Sequence, residues 1–230
     1  MTRPSLRDER GVTLPELMVG MLVGLVVLGG IVTMVTQTAK TSGRVSERVA
    51  ADQIARPMVQ RIMDELHSTC ISPGLAPVLS GSTDTAISFI HSTGSAVAPT
   101  PVKRTIALSG TNLVDTTYAK TGGSAPSWTF SATPSSTYRL LTNVKKIGGT
   151  TPIFTYHAYA NGSVSATPLA VPLSASDAAR TVEIRMNLAV YPANSATSSE
   201  TGAPVNISES SLLRFSPSNE DTQQAGLPCT

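Results

Sequence analysis

The stretch RGVTLPELMVGM, residues 10–21, sets a charged N-terminus against the start of an apolar run and places one carboxylate, Glu16, just inside it. Carrying a carboxylate into a bilayer costs about 2.5–3.5 kcal/mol on insertion scales, so an acid at this position calls for a partner. The run continues as LMVGMLVGLVVLGGIVTMV, nineteen uncharged residues at 17–35 and long enough to cross a membrane as one helix. Arg3, Arg7 and Arg10 precede it. By the positive-inside rule they keep the N-terminus cytoplasmic and send the remainder outward.

Three explanations compete for this segment. A secretory signal would be cut after its apolar region, and Thr36-Gln37-Thr38-Ala39 before Lys40 offers a loose small-residue site. The apolar run is longer than the 7–15 residues usual for such signals. A plain anchor accounts for the length and the arginines but leaves Glu16 unused. The third explanation uses every residue, because R-G-V-T-L-P-E-L resembles the processing site of type IV prepilins and pseudopilins.

That resemblance implies a cytoplasmic leader, residues 1–11, removed after Gly11 by a prepilin peptidase that also methylates the new N-terminus, Val12. Val12 stands where phenylalanine is commoner in the family. Glu16 matches the family's glutamate at the fifth mature position, which implies pairing with an N-terminal amine, its own or a neighbour's, during filament assembly. Charged groups in a low-dielectric bundle are tolerable chiefly when paired in this way. Residues 12–35 then form a transmembrane helix that becomes filament core. Gly20 and Gly24 form a GxxxG pair permitting close helix approach. Gly29-Gly30 marks a place where the helix could kink or locally melt, with loose packing in an anchor as the alternative.

Helical periodicity continues beyond the apolar run. Val45, Val49, Ile54, Met58, Ile62 and Leu66 recur at spacings near four and predict one buried stripe on an amphipathic continuation, residues 36–70. Pro57 is expected to bend it or remove one backbone bond. After Ser72-Pro73-Gly74 the period becomes that of strands: AISFIHS (86–92), KRTIAL and NLVDTTY around Ser109-Gly110-Thr111, STYRLLTNVKKI (136–147), PIFTYHAYA before Asn161-Gly162, RTVEIRMNLAVY (180–191) and SSLLRF (210–215). The expected fold is α+β: a long N-terminal helix, transmembrane in its first half, packed on an antiparallel sheet that forms a head at 71–230. The succession of strands in the head resembles the larger minor pilins and minor pseudopilins of the PilW and PulJ type.

Composition agrees with a head outside the cytoplasm. The chain has 230 residues, 40% of them apolar and only 14% charged, enough for one good core. Net charge is +2, about half of it carried before Gly11, which gives no general case for nucleic-acid binding. Cys70 and Cys229 lack any CxxC spacing. In an oxidising compartment a Cys70–Cys229 disulfide is the leading reading, with two free thiols as the alternative.

The remaining constellations point weakly. His67, His91 and His157 show no metal-ligand spacing, and no metal or cofactor is expected. GxSxG, Walker and Rossmann patterns are missing from the sequence, so an enzyme is not expected. Asn219-Glu220-Asp221 supplies oxygens that would suit calcium, although such loops are ordinarily only solvated. Lys145-Lys146 and Lys103-Arg104, with Tyr138, Tyr156 and Tyr159, form the one candidate nucleic-acid patch. Asn161-Gly162-Ser163 and Asn206-Ile207-Ser208 fit the glycosylation pattern. The expected function is that of a minor pilin or pseudopilin. By resemblance its partners are the peptidase, other major and minor pilins, and an inner-membrane assembly platform with its ATPase. An adhesin or DNA-binding tip carried on a pilin stalk is the runner-up, and a soluble domain released after Ala39 the third reading.

Overall fold

The computed structural model describes residues 12–70, 72, 74–95, 98–192 and 204–213. The chain divides into two compact units, Met1–Ser46 and Glu47–Thr230. Helix α1, Leu14–His67, contributes residues to both. It runs as one helix through Pro57, which sits inside it.

In the second unit, α1 buries Ala51, Ala55, Val59, Ile62, Met63 and Leu66. This stripe corrects the expected one. Val45 and Val49 are exposed, and Ile54 is 67% exposed. A strict spacing of four gains about 40° on a 3.6-residue period at each step, so the expected stripe drifts off the buried face. Two alanines, Ala51 and Ala55, take their place on the buried face.

Those strands form two antiparallel sheets. The first contains β1 (Ala86–Ser95), β2 (Ala98–Ser109) and β3 (Asn112–Gly122) in that order, with β4 (Thr129–Phe130) and β5 (Ser136–Leu141) both paired to β3. The β2–β3 hairpin closes on Ser109 opposite Asn112, with Gly110 at φ +60 supplying the turn. The second sheet runs β10 (Val205–Leu212), β9 (Thr181–Val190), β7 (Phe154–Ala160), β8 (Ser163–Val164), with β6 (Val144–Lys145) also on β9. A short helix, α2 (Ala175–Ala179), capped by Ser174, precedes β9. The predicted Asn161-Gly162 hairpin turn is present between β7 and β8, both residues at positive φ.

Two departures from the sequence reading shape the sheets, and the first explains why there are two. The stretch STYRLLTNVKKI is not one strand: Asn143 adopts φ +56, and the chain leaves β3 for β9 at this corner. Asparagine tolerates that left-handed conformation better than most residues. The last strand lies earlier than SSLLRF, at Val205–Leu212, so the Asn206 glycosylation pattern is strand residues paired with β9.

Both sheets and the helix share one core. Ile87, Phe89, Ile106 and Leu113 of the first sheet cluster with Ile184, Met186, Leu188 and Ile207 of the second, and with the buried residues of α1. A smaller cluster joins Cys70 and Ile90 with Leu75, Leu79, Trp128 and Phe130.

Charge fixes the helix end on the first sheet. Arg104, Ile106 and Val102 lie on one face of β2, and Asp115 shares the face of Leu113 on β3, so both charges point into an apolar layer. Arg104 bonds Asp115 through both Nε and Nη2 and reaches Glu65 of α1 at 2.7 Å. Glu65 also receives Arg61 at 3.1 Å. Burial would depress the guanidinium, but the bonds from Asp115 and Glu65 outweigh it and hold its pKa above the ordinary value. Beyond the ion cluster, the His67 Nδ1 donates to the Leu212 carbonyl at 3.0 Å, and Cys70 N–H starts strand-like pairing with Ile90.

His91 lies beside this cluster. The Ser68 hydroxyl donates to the Glu65 carbonyl and therefore accepts from His91 Nε2 at 3.1 Å. That assigns the proton to Nε2 and leaves the buried Nδ1 with no hydrogen-bond partner among the described residues. Burial, and then the nearby Arg104, push the His91 pKa below its ordinary 6.5, with Glu65 and Asp115 opposing. A depressed histidine favours the folded state above its unfolded value and loses that contribution as pH falls.

Two outcomes follow from this packing. Leu66→Ala should destabilise the detergent-solubilised chain by about 2–5 kcal/mol in denaturant unfolding. Ile54→Ala, on the same helix but exposed, should stay within about 0.5 kcal/mol of wild type. Lowering the pH from about 7.5 to about 5 should reduce the melting temperature, and His91→Gln should make that decline shallower. An equal decline in both chains would remove His91 from the account.

Candidate functional site

The first unit opens on the residues that the sequence singled out. Thr13 precedes α1, and its carbonyl accepts the Leu17 N–H at 3.1 Å, closing the first turn. Pro15 stands within that turn, where a missing N–H costs nothing. Glu16 lies in the same turn, near the positive end of the helix dipole. It is the sole charged residue from Val12 to Ala39. Val12 is exposed, and Gly11 lies outside the described residues.

Beyond Glu16 the helix shows apolar side chains on every side. From Leu17 to Val35 its leucines, valines, methionines and isoleucine are all exposed. Its most apolar 18-residue window is 0% buried, and the helix is long and apolar enough to cross a membrane. A helix that is hydrophobic all round needs an apolar environment, in lipid or against other helices. A Cβ added at Gly20 or Gly24 would meet nothing within 4 Å, so their face is open to a neighbour.

At Gly29-Gly30, one of the places where the helix could have kinked or melted, it stays continuous. Thr33 bonds back onto this pair. Its hydroxyl donates to the carbonyls of Gly29 at 3.1 Å and Gly30 at 2.8 Å. Thr36, Thr38 and Thr41 bond back to Thr33, Met34 and Gln37 in the same way. Such bonds satisfy each hydroxyl inside the helix, which a lipid environment requires.

The head disperses the other candidates. Arg104 is committed to the buried ion cluster, and Lys146 pairs with Asp84. Lys103 covers the Tyr118 ring at 4.3 Å, and Lys145 covers Tyr191 at 4.9 Å. Tyr156 is buried, its hydroxyl donating to the Thr83 carbonyl at 2.9 Å, with burial raising its pKa far above the ordinary value. Only Tyr138 and Tyr159 of that candidate patch remain as exposed rings. The candidate basic, stacking surface, which the sequence supported only weakly, is therefore not assembled.

The histidines are likewise apart. His157 is buried on β7 and bonded to the Ser165 carbonyl at 2.8 Å and to Thr155. Among the described residues no group of three His, Cys, Asp or Glu is placed to hold a metal. Asn219-Glu220-Asp221 and Cys229 lie outside the described residues. Cys70 is buried, and the described residues include no free cysteine.

The ion cluster was not foreseen from the sequence, though a signal was there. Arg104 and Asp115 occupy positions whose strand alternation assigns them to the apolar face, one of each sign. Comparison with known proteins adds one finding: residues 6–32 match the family model described as the prokaryotic N-terminal methylation motif. No curated protein and no solved structure matches the chain. The motif is consistent with a type IV pilin or pseudopilin, a structural rather than enzymatic class, and implies prepilin peptidase processing and assembly with other pilins.

Proposed function

We propose that this pilin-like chain is a minor pilin or minor pseudopilin, a structural subunit acting in fibre initiation or at the tip of a type IV pilus or secretion pseudopilus. The observation that carries the reading is the methylation motif at the head of a wholly exposed apolar helix whose sole charge to Ala39 is Glu16. In this reading residues 1–11 are a cytoplasmic leader, 12–35 span the membrane and later form filament core, 36–70 continue the helix, and 71–230 form the extracytoplasmic head.

Cleavage after Gly11 breaks the Gly11–Val12 peptide bond and leaves an α-amine on Val12, which the same peptidase methylates. That amine is cationic and must enter the apolar filament core with its helix. Glu16, one turn further on, offers the opposite charge to its own amine or to that of the adjacent subunit. A pair made between subunits sets the axial register, because the apolar contacts around it are non-directional. Assembly then needs the platform and its ATPase only to lift each helix from lipid into the fibre.

The head's role follows from the same division of labour. Its core is complete without the apolar run, so the head can be carried outside the membrane while the helix anchors it. Cys70, buried just beyond the end of α1, takes Cys229 as its disulfide partner in this reading, joining the chain's last residues to the helix end. A non-reducing peptide map should contain a Cys70–Cys229 cross-linked peptide, and its absence would overturn the pairing.

Glu16→Ala tests the function. The variant should insert in the membrane at the wild-type level, yet its share in sheared surface fibres should fall by tenfold or more, a loss of about 1.4 kcal/mol of assembly free energy. Glu16→Asp should recover part of it. Fibres containing Glu16→Ala at the wild-type share would contradict the assembly role.

A further inference from the structure

A cleft of about 310 Å³ opens in the head between the end of β7, the segment after β8 and the short helix α2. Tyr159 stands on one wall, with Pro168, Leu169 and Ala170 forming an apolar side and Asp177 and Arg180 a polar one. We propose that this cleft is a saccharide-binding site, taking a neutral mono- or disaccharide unit of a surface glycan.

The aromatic wall is preorganised. Tyr159 is 59% exposed, yet its backbone is fixed by pairing with Val164 across the hairpin. The ring has only two torsions to restrict, so stacking on it costs little conformational entropy. Its hydroxyl has no partner among the described residues. A sugar ring presents a flat face of C–H groups and a rim of hydroxyls, which suits an exposed phenol beside polar groups.

The polar wall is equally fixed. Arg180 binds one oxygen of Asp177 through Nε at 2.9 Å and Nη2 at 2.6 Å. The other Asp177 oxygen accepts the Ser174 hydroxyl at 2.8 Å, and that hydroxyl in turn accepts the Asp177 N–H at the start of α2. The hydrogen bond from Ser174, and then Arg180, hold the Asp177 carboxyl below its ordinary pKa, so it stays ionised. Nη1 of Arg180 is left without a hydrogen-bond partner among the described residues. The guanidinium is thus held in place with donors to spare for sugar hydroxyls.

Charge selects among ligand classes. Asp177 offsets Arg180, so the wall carries no net charge to hold a phosphate or a carboxylate. The volume lies near the lower end of ordinary ligand sites, roughly 300–1,000 Å³, in keeping with a small ligand unit. The inference rests on the reading of the head as extracytoplasmic, where glycans are met.

Cellotriose, maltotriose and chitotriose titrated into the full chain in detergent provide the test, with saturation-transfer NMR and calorimetry as readouts. At least one should bind at concentrations of about 1 mM or below, an affinity of about 4 kcal/mol. Tyr159→Ala and Arg180→Ala should each weaken it by tenfold or more. Tyr159→Phe should retain it within about threefold because the stacking face is kept. Tyr138→Ala, at the other exposed tyrosine, should bind as wild type. Binding by none of the three, or binding that Tyr159→Ala leaves unchanged, would overturn the site. Binding does not require fibres, so loss of assembly with binding intact would count against the assembly reading alone.

Discussion

One constraint governs the first unit: nineteen uncharged residues, 17–35, carry apolar side chains that are left exposed among the described residues. At about 25 cal/mol per Å² of apolar surface, water is not a tolerable environment for such a helix, so lipid or other helices must surround it. Glu16 gains its meaning from this demand. In a soluble helix it would be an ordinary acid near a positive dipole end, whereas in an apolar bundle it requires a cation. The proposed cleavage at Gly11 supplies one in the Val12 amine.

The same helix meets the opposite demand after Ser46. From Ala51 to Leu66 it covers a core of its own with two alanines, then valine, isoleucine, methionine and leucine. The Glu65–Arg104–Asp115 cluster sits where that face ends. Apolar contacts alone would leave the helix free to slide or turn, because they lack direction. A buried guanidinium bound to two carboxylates from different elements has few equivalent geometries, and removing Arg104 would leave the buried Asp115 without its cation.

Long, composition-driven features were legible in the sequence. The apolar run, the arginines before it, the helix and nearly all strands are read from periods and charge, which act locally. The failures came where tertiary contacts decide. Ile54 fits an apolar stripe by spacing but lies off the face that the sheets cover, while Ala51 and Ala55, unremarkable in composition, lie on it. Asn143 is one residue in an otherwise strand-like run, and its left-handed backbone divides that run between two sheets. The weakly indicated basic patch is dispersed for a related reason. Lys103, Arg104, Lys145 and Lys146 are near in sequence pairs, yet each is committed to a different carboxylate or ring.

The central claim is that the apolar helix is processed for assembly rather than retained as a plain anchor or discarded as a signal. The intact mass and N-terminal sequence of the protein purified from its native membrane test it most directly. The account predicts a chain that begins at N-methylated Val12. A chain that begins at Met1 or at Lys40 would contradict it.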